Sequence, residues 1–528
     1  MHDSIPQVSV DWNRTFVYSL SLDNLQRKRS DMNRFQHIAL LGVVLLITAT
    51  TAIAAGLEER VREHTLGNGM KILLVERHSS PTVSAWIRFK VGSMDERSDE
   101  RGIAHLLEHM LFKGTRTLGT RDYAKERPLL DRIEATAEAL MAEKLKRDKA
   151  DRKQIEELSR TLAALEAEAG TYVVKNELSE IYSRNGGVND NAFTSKDSTA
   201  YMVSIPSNKL ELWAAIESDR MRNAVLREFY TERNVVMEER RRSYDANPEG
   251  KLYESFLAAA YVAHPYGQPI IGWMSDIENL SRSEAESFFH RYYAPANAIV
   301  AVIGDIDPDK TIALIDNYFG SIPPGVPVPP VAVDEPRQPG ERRVEIVEDA
   351  EPQLLIGFHK PTLPHRDDYA FDVINMILAD GKNSRLFKKL VVEKQLAAGI
   401  SAFSAPGSRH PNLFVIAATP RSPHTVREVE EAIYAELDLL KKEPVTAREL
   451  QQILNKLEAD EIAGMSSNGG LANRLTEYEA VAGTWRYLVE HRRKVAELTA
   501  ADVAAVARKY LVRENRTVAT MTKRESAR

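Results

Sequence analysis

Two histidines and a glutamate occupy one short stretch of the chain in a spacing that suits metal chemistry. The segment Gly102–Thr115 reads GIAHLLEHMLFKGT and places His105 and His109 four residues apart, with Glu108 beside them. Residues four apart share one face of a helix. Two imidazoles on one face can bind a single Zn²⁺ and leave room for a third protein ligand and a water. Because the adjacent carboxylate can accept a proton from that water, the H-x-x-E-H pattern predicts a hydrolytic site with one zinc ion per chain.

A third ligand must come from elsewhere, and a carboxylate-rich stretch downstream is the best candidate. Residues 231–244 read TERNVVMEERRRSY. Glu232 and Glu239 are seven residues apart, two helical turns, and so share a face, whereas Glu238 points about 100° away from Glu239. We expect a glutamate of this stretch to complete the site. The alternative is a charged, exposed helix, and we expect Arg240–Arg242 to be a solvated face.

The composition narrows the class of protein and the kind of metal site. The chain has 528 residues, of which 43% are hydrophobic and 28% charged, and its formal net charge is −6. These values exclude a polytopic membrane protein and a largely disordered one, and they argue against binding to nucleic acid. There is no cysteine. Disulfides, cysteine zinc sites and thiol catalysis are therefore excluded, and any metal must be held by histidine and carboxylate groups.

Residues 1–55 are typical of a targeting segment. The apolar run Ile38–Ala55 follows a cluster of basic residues and ends in small residues. This pattern predicts a secretory signal peptide, with an uncleaved membrane anchor at residues 38–55 as the alternative. The polar stretch before Met32 makes Met32 an alternative start. We therefore expect an exported, periplasmic protein, anchored to the membrane only if the segment is retained.

The remaining chain divides into two halves at a proline-rich stretch. Residues 323–342 are predicted to be a linker. Residues 56–322 and 343–528 both mix strand-like and helical patterns, which predicts two α+β domains. Trp86–Val91 and Leu355–Lys360, each followed by a polar turn and a helix, form a weak internal repeat, consistent with duplication of one domain.

A charged, helical segment at about residues 125–178 interrupts the first half. Pro128 suits a first helical turn, and apolar residues recur at helical spacing on both sides of a turn at Asp148–Asp151. The pattern predicts an antiparallel helical hairpin packed on its own seam. An arm that docks a partner is the alternative.

Together these motifs resemble the pitrilysin/insulinase family of zinc peptidases, which includes the mitochondrial processing peptidases. The motifs shared beyond the zinc pattern are Phe112–Thr115, Asn191–Thr194 with Asp197 and Tyr201, His264–Gly267, Ile271–Trp273, Tyr293–Asn297 and Gly304–Asp305. The resemblance implies His105, His109 and Glu239 as zinc ligands and Glu108 as general base, with Glu232 as a second acidic residue supporting the site. It also implies two homologous α+β domains that form a clamshell around a peptide, the second of them without a metal site.

The resemblance further implies that Asn191 and Ala192 lie on an edge strand that holds the backbone of the substrate. An exposed strand edge offers unpaired N–H and C=O groups to an extended peptide. Such binding would favour unfolded or short peptides with loose sequence preference. An ordinary hairpin strand is the alternative interpretation.

One departure from the family concerns the second half. Arg385 matches an arginine that helps hold the substrate, but Ala398 stands where the family shows a tyrosine. We therefore expect either a homodimer or a partnership with a related subunit that supplies the tyrosine, or weak activity alone. The sequence thus predicts a zinc-dependent metalloendopeptidase. The rival hypothesis is a weakly active or non-catalytic scaffold subunit of a heteromeric peptidase.

Overall fold

The computed structural model describes residues 56–524, so the predicted targeting segment 1–55 lies outside the described residues. Two mixed sheets organise this range, one in each half of the chain. The strands of the first sheet are β1 (Val61–Thr65), β2 (Lys71–Glu76), β3 (Thr82–Phe89), β4 (Val188–Thr194), β5 (Thr199–Pro206) and β6 (Ala298–Gly304). The strands of the second are β7 (Arg342–Glu348), β8 (Gln353–Lys360), β9 (Ala397–Ala405), β10 (Asn412–Pro420) and β11 (Arg516–Lys523).

The second sheet repeats the topology of the first without an equivalent of β1. The strand orders are β1-β2-β6-β3-β5-β4 and β7-β11-β8-β10-β9. In each sheet one pair is parallel, β2 with β6 and β7 with β11, and the other neighbours are antiparallel. This correspondence supports the predicted pair of related α+β domains and makes β9 the counterpart of β4, each at a sheet edge.

Helices cover the sheets. Those of the first half are α1 (Ile103–Met110), α2 (Tyr123–Leu145), α3 (Arg152–Gly170), α4 (Glu177–Arg184), α5 (Leu210–Asn223), α6 (Phe229–Arg240), α7 (Pro248–Ala260), α8 (Met274–Asn279), α9 (Arg282–Tyr292) and α10 (Pro308–Phe319). Those of the second half are α11 (Arg366–Leu378), α12 (Val426–Lys442), α13 (Ala447–Gly464), α14 (Asn468–Val481), α15 (Tyr487–Ala496) and α16 (Ala500–Tyr510). Between residues 56 and 524, none of the helices combines the length and apolar character needed to cross a bilayer.

One helix from each half packs against the sheet of the other half. From the first half, α7 packs Leu252 and Phe256 against β8, β10 and β11 in one buried cluster. From the second half, α14 packs Leu471 and Leu475 against β2, β3 and β6 in another. Arg88 of β3, itself buried, donates hydrogen bonds to side chains of α14. The two sheets are therefore covered only when both halves are present.

The charged segment folds into the two helices α2 and α3, which pack against each other. α2 begins at Tyr123, where the Asp122 side chain accepts a hydrogen bond from the backbone N–H of Lys125 (3.2 Å). Pro128 therefore lies inside the helix, not in its first turn as the sequence suggested. α3 ends at Gly170. The hairpin does not pack on its own seam alone, since Leu129, Ile133 and Leu165 belong to the main buried cluster of the first half.

The proline-rich stretch forms neither helix nor strand before β7 begins at Arg342. It is nevertheless held against both halves. The carboxylate of Glu335 accepts hydrogen bonds from the backbone N–H groups of Val262, Ala263 and His264, at 3.0–3.1 Å. The Gln338 amide donates to the carbonyl of Arg516 (2.7 Å).

Candidate metal centre

The helix α1 carries both histidines of the H-x-x-E-H pattern, and burial of its other face fixes its position. Ile103, Leu106 and Met110 are fully buried, which leaves His105, Glu108 and His109 on the opposite side. The carboxylate of Glu96 caps the helix by accepting hydrogen bonds from the backbone N–H groups of Gly102 (3.0 Å) and Ala104 (2.9 Å). Burial nevertheless raises the pKa of the Glu96 carboxyl to about 8, although these two hydrogen bonds oppose the shift.

Two glycines approach each other closely and give a role to the motif Ile271–Trp273, for which the sequence alone predicts none. Gly102 has φ of +94° and Gly272 has φ of +85°. A Cβ on Gly102 would collide with the carbonyl oxygen of Ile271, and one on Gly272 with that of Arg101. The segment Ile271–Trp273 therefore seats the start of α1 at a distance that only glycine permits.

Helix α6 brings Glu239 to the two imidazoles. Glu239 Oε1 lies 3.7 Å from His105 Nε2, and Glu239 Oε2 lies 3.5 Å from His109 Nε2. One ligand atom from each of the three side chains fits within 4.8 Å of the other two. Ligand atoms around a tetrahedral zinc, at bond lengths of about 2.0–2.1 Å, are about 3.3 Å apart. The donor set and its spacing therefore fit a zinc ion.

The ionisation of His105 suits metal binding. Burial, together with the nearby charge of His109, lowers the pKa of His105 to about 3. The imidazole is therefore neutral at pH 7, which is the form that binds a metal.

Glu232 contacts His109 at the ring nitrogen that does not face Glu239. Its Oε1 is 3.0 Å from His109 Nδ1, and its Oε2 is 2.6 Å from Lys113 Nζ. Burial opposes the charge of Glu232, but the hydrogen bonds from His109 and Lys113 lower its pKa to about 2. Although burial opposes it, the hydrogen bond to Glu232 and the charge of Glu239 raise the pKa of His109. With Nδ1–H directed at Glu232, the nitrogen that would release its proton to a metal is Nε2, which faces Glu239.

Glu108 is oriented by the edge strand of the first sheet. The Thr194 hydroxyl, at the end of β4, donates a hydrogen bond of 2.6 Å to Glu108 Oε2. Burial raises the pKa of Glu108. A carboxylate with a raised pKa and one oxygen held in place is a suitable proton acceptor.

The strand β4 forms the outer edge of its sheet, and Asn191 and Ala192 both lie on it. Asn191 is exposed and Ala192 is buried. We call His105, His109 and Glu239 the metal group. A cleft of about 440 Å³ lies beside this strand and is bordered by Glu108, His109, Asn191 and Glu232 among others. The cleft therefore adjoins both β4 and His109 of the metal group.

The second half contributes neither of its predicted residues to that cleft. The guanidinium of Arg385 forms a two-pronged pair with the carboxylate of Glu449, at 3.1 and 2.9 Å. Ala398 is exposed on β9, the edge strand that corresponds to β4. A role for Arg385 in substrate binding thus stays a prediction, and within one chain it is engaged elsewhere.

Two models of peptidase sequence families match the chain. The one described as "Insulinase (Peptidase family M16)" matches residues 71–130 and 167–273. The one described as "Peptidase M16 inactive domain" matches residues 279–457. The chain belongs to the insulinase family of peptidases. The predicted pitrilysin/insulinase relationship is confirmed, and the first match contains all of His105, Glu108, His109, Glu232 and Glu239.

Curated relatives of this chain carry zinc protease names. The zinc protease PqqE of Helicobacter pylori is 29% identical over 489 residues, covering 90% of this chain and 96% of the relative. An uncharacterized zinc protease of Mycobacterium tuberculosis is 28% identical over 460 residues, covering 85% of this chain and 90% of the relative.

Solved structures show the same fold. A protease from Helicobacter pylori superposes with a TM-score of 0.73 at 28% identity, covering 88% of this chain and 99% of the other. The periplasmic protease PqqL from Escherichia coli gives a TM-score of 0.64 at 17% identity, covering 88% of this chain and 48% of the other. At that identity the likeness to PqqL shows the fold alone.

Thr194 and Glu96 both contact the metal helix, but the sequence alone predicts no role for either residue. A signal was present for Thr194, because it lies two residues after Ala192 on a strand and so shares its face. No comparable signal exists for Glu96. Its partners are backbone N–H groups, which leave no trace in residue types.

Proposed function

We propose that the chain is a zinc-dependent metalloendopeptidase that hydrolyses peptide bonds of unfolded or short peptides. The observation that carries this proposal is the convergence of His105, His109 and Glu239, with the carboxylate of Glu108, oriented by Thr194, one residue from a ligand. A structural zinc site has no need of such a proton acceptor, so the arrangement favours catalysis.

Each residue has a distinct task in this proposal. When bound, zinc supplies a Lewis acid that lowers the pKa of a coordinated water and polarises a carbonyl. Glu108 accepts a proton from the attacking water and delivers it to the leaving amine. Glu232 keeps His109 in its metal-binding orientation. The backbone of β4 at Asn191 and Ala192 pairs with an extended peptide, which selects for unfolded chains over sequence.

The proposal includes a second chain. Arg385 is paired with Glu449, and the position of Ala398 lacks the phenol that the family shows. We therefore infer that a second chain faces the cleft of the first half: a related subunit that bears the phenol, or a second copy, which would bring Arg385 but no phenol. Cleavage per chain that rises with the concentration of this chain would support a second copy, and cleavage that rises on addition of a related subunit would support that partner. Cleavage that is constant down to nanomolar concentrations and unchanged by such a subunit would contradict the inference.

Export belongs to the proposal too. It is supported by the basic, apolar and small-residue pattern of residues 1–55. Cell fractionation of the native host, followed by N-terminal sequencing of the mature protein, tests both export and cleavage of this segment.

The decisive experiment replaces Glu108 by Gln. We expect Glu108→Gln to keep about one zinc ion per chain but to lose peptide cleavage by about 10²–10⁴-fold, the contribution of a general base. Zinc content is measured by elemental analysis, and cleavage with a mixture of fluorogenic unfolded peptides, with and without a chelator.

The matched control is Glu238→Gln on α6. Glu238 is exposed and paired with Arg241, away from the metal group. We expect this variant to behave as the wild type. Normal cleavage by Glu108→Gln would refute the mechanism. A wild-type chain that holds zinc but cleaves nothing, alone or with a partner, would favour the scaffold hypothesis, to which the absent tyrosine points.

A further inference from the structure

The helical hairpin formed by α2 and α3 is an addition to the general pattern of the family. The family match stops at residue 130 and resumes at residue 167, so residues 131–166 lie outside it. An addition of this kind costs little when it projects from the surface. This one instead packs into the first half, against the helix that supplies Glu239.

The contact between the hairpin and α6 is made by buried polar pairs. Where α6 begins, the guanidinium of Arg227 donates to Glu126 of α2 (2.8 Å), and both side chains are completely buried. One helical turn later, the Tyr230 hydroxyl donates to Glu134 (2.8 Å), and Tyr230 is only 3% exposed. Further along, Arg233 Nη1 approaches the sulfur of Met141 (3.3 Å).

Arg227 also binds the segment that leaves the metal helix. Its guanidinium donates to the backbone carbonyls of Lys113 (2.6 Å), Leu118 (3.1 Å) and Thr115 (2.5 Å). One side chain thus joins the exit of α1, the first turns of α2 and the entrance of α6. Those elements are α1, the metal helix that carries both histidines, the hairpin, and α6, which carries Glu239.

Helical geometry relates this contact to the zinc ligand. At about 100° per residue, Tyr230 lies about 160° from Glu232 and about 180° from Glu239 around α6. The carboxylates face α1. α6 therefore contacts the metal helix on one face and the hairpin, through the Tyr230 side chain, on the opposite face, and it also packs against α8.

We propose that the hairpin is a positioning element that sets the distance of α6 from α1, and with it the place of Glu239 at the metal. Tyr230 and Met141 are then positioning residues, because neither touches the metal group. The inference rests on the proposed function only in taking Glu239 as a zinc ligand.

The test measures zinc affinity of the purified full-length chain by competition with a chromophoric chelator. Outer-sphere partners of zinc ligands typically change affinity by about 10–100-fold, and Tyr230 acts one step further away, so we expect Tyr230→Phe to raise the zinc Kd by about three- to tenfold. Met141→Ala, which disturbs the same contact from the hairpin side at a partly buried position, should also raise it.

The matched control is Tyr434→Phe. Tyr434 in the second half donates a hydrogen bond to Glu430 (2.5 Å), so this variant removes the same chemical group and the same kind of bond far from the zinc ligands in sequence. We expect its zinc Kd to equal that of the wild type. The visible absorption of Co²⁺ bound in place of zinc reports ligand geometry, and it should shift in Tyr230→Phe but not in Tyr434→Phe.

The outcomes are distinct. Unchanged zinc affinity and Co²⁺ spectra in folded Tyr230→Phe and Met141→Ala would overturn the positioning role and leave the proposed function intact. An equal loss of affinity in Tyr434→Phe would overturn it too, because the effect would then be a general loss of stability. A wild-type chain that binds no zinc would overturn the proposed function, and this inference with it.

Discussion

At the scale of single residues, the site shows how one carboxylate can prepare another side chain for metal binding. Glu232 is seven residues from Glu239 on the same helix face, and the sequence alone left either as a candidate ligand. The structure places Glu232 at His109 Nδ1 and Glu239 at the Nε2 atoms. The two glutamates thus have different environments, because they lie two helical turns apart along α6 and contact different atoms on α1.

The different contacts of Glu232 and Glu239 predict the effect of removing Glu232. We expect Glu232→Ala to weaken zinc binding by about 10–100-fold, since His109 loses the partner that fixes its tautomer and ring orientation. Zinc affinity is again measured by chelator competition. Glu228→Gln is the control, because Glu228 approaches Lys113 (3.6 Å) and forms no hydrogen bond or ion pair with His105 or His109. Wild-type affinity in Glu232→Ala would show that His109 needs no such partner.

Much of the site could be predicted from residue types and spacing, but one arginine shows the limit. His105, Glu108 and His109 follow from helical periodicity alone. Arg240 was expected on a solvated face and is instead buried. Its guanidinium pairs with Glu254 (2.9 Å), donates to the carbonyl of Gly272 (2.7 Å) and lies over the Trp273 ring. All three partners follow it in the chain, and spacing within one helix cannot reveal them.

At the scale of elements, the sequence predicted which helices and strands form better than it predicted which elements pack against each other. The periodic apolar residues of the charged segment do form two helices, and the strand-like runs of both halves do form strands. A stripe of apolar residues, however, shows only which face of a helix is covered and not which neighbour covers it. For the same reason, neither the contact between the hairpin and α6 nor the exchange of α7 and α14 between halves could be foreseen.

At the scale of the whole molecule, the halves are joined by more than the exchanged helices. Asp197, in the first half, accepts hydrogen bonds from the Tyr266 hydroxyl (2.5 Å) and from the backbone N–H of Ser408 in the second half (2.6 Å). The Tyr266 hydroxyl in turn accepts from the backbone N–H groups of Arg409 and His410, both at 3.1 Å. Motif residues of the first half therefore hold the turn between β9 and β10.

Histidines at this junction make its stability depend on pH. The ring of His264 is 4% exposed and lies against that of His410, with a centroid distance of 4.8 Å. Burial and then the charge of His410 lower the pKa of His264 to about 4, although Glu335 and Asp334 oppose this. Burial also lowers the pKa values of His410 and His359. All three imidazoles are thus neutral in the folded protein at pH 7.

The sign of the effect follows from proton binding. Between pH 6.5 and 4 the unfolded chain carries a proton on His264 that the folded chain does not, so acidification favours unfolding. From the pKa of about 4 against 6.5 in the unfolded chain, His264 alone should remove about 3 kcal/mol of the free energy of unfolding across this interval. Urea unfolding at a series of pH values measures this loss.

Replacement of His264 by Asn isolates its share from that of other titrating groups. His264 Nδ1 accepts a hydrogen bond from the backbone N–H of Tyr266 (3.2 Å), and an asparagine oxygen can take over that bond. We expect the pH dependence of His264→Asn between pH 6.5 and 4 to be shallower than that of the wild type by about 2–3 kcal/mol. Parallel curves for the two proteins would mean that the junction tolerates a charged imidazole, and that the halves separate there on acidification or admit water without unfolding.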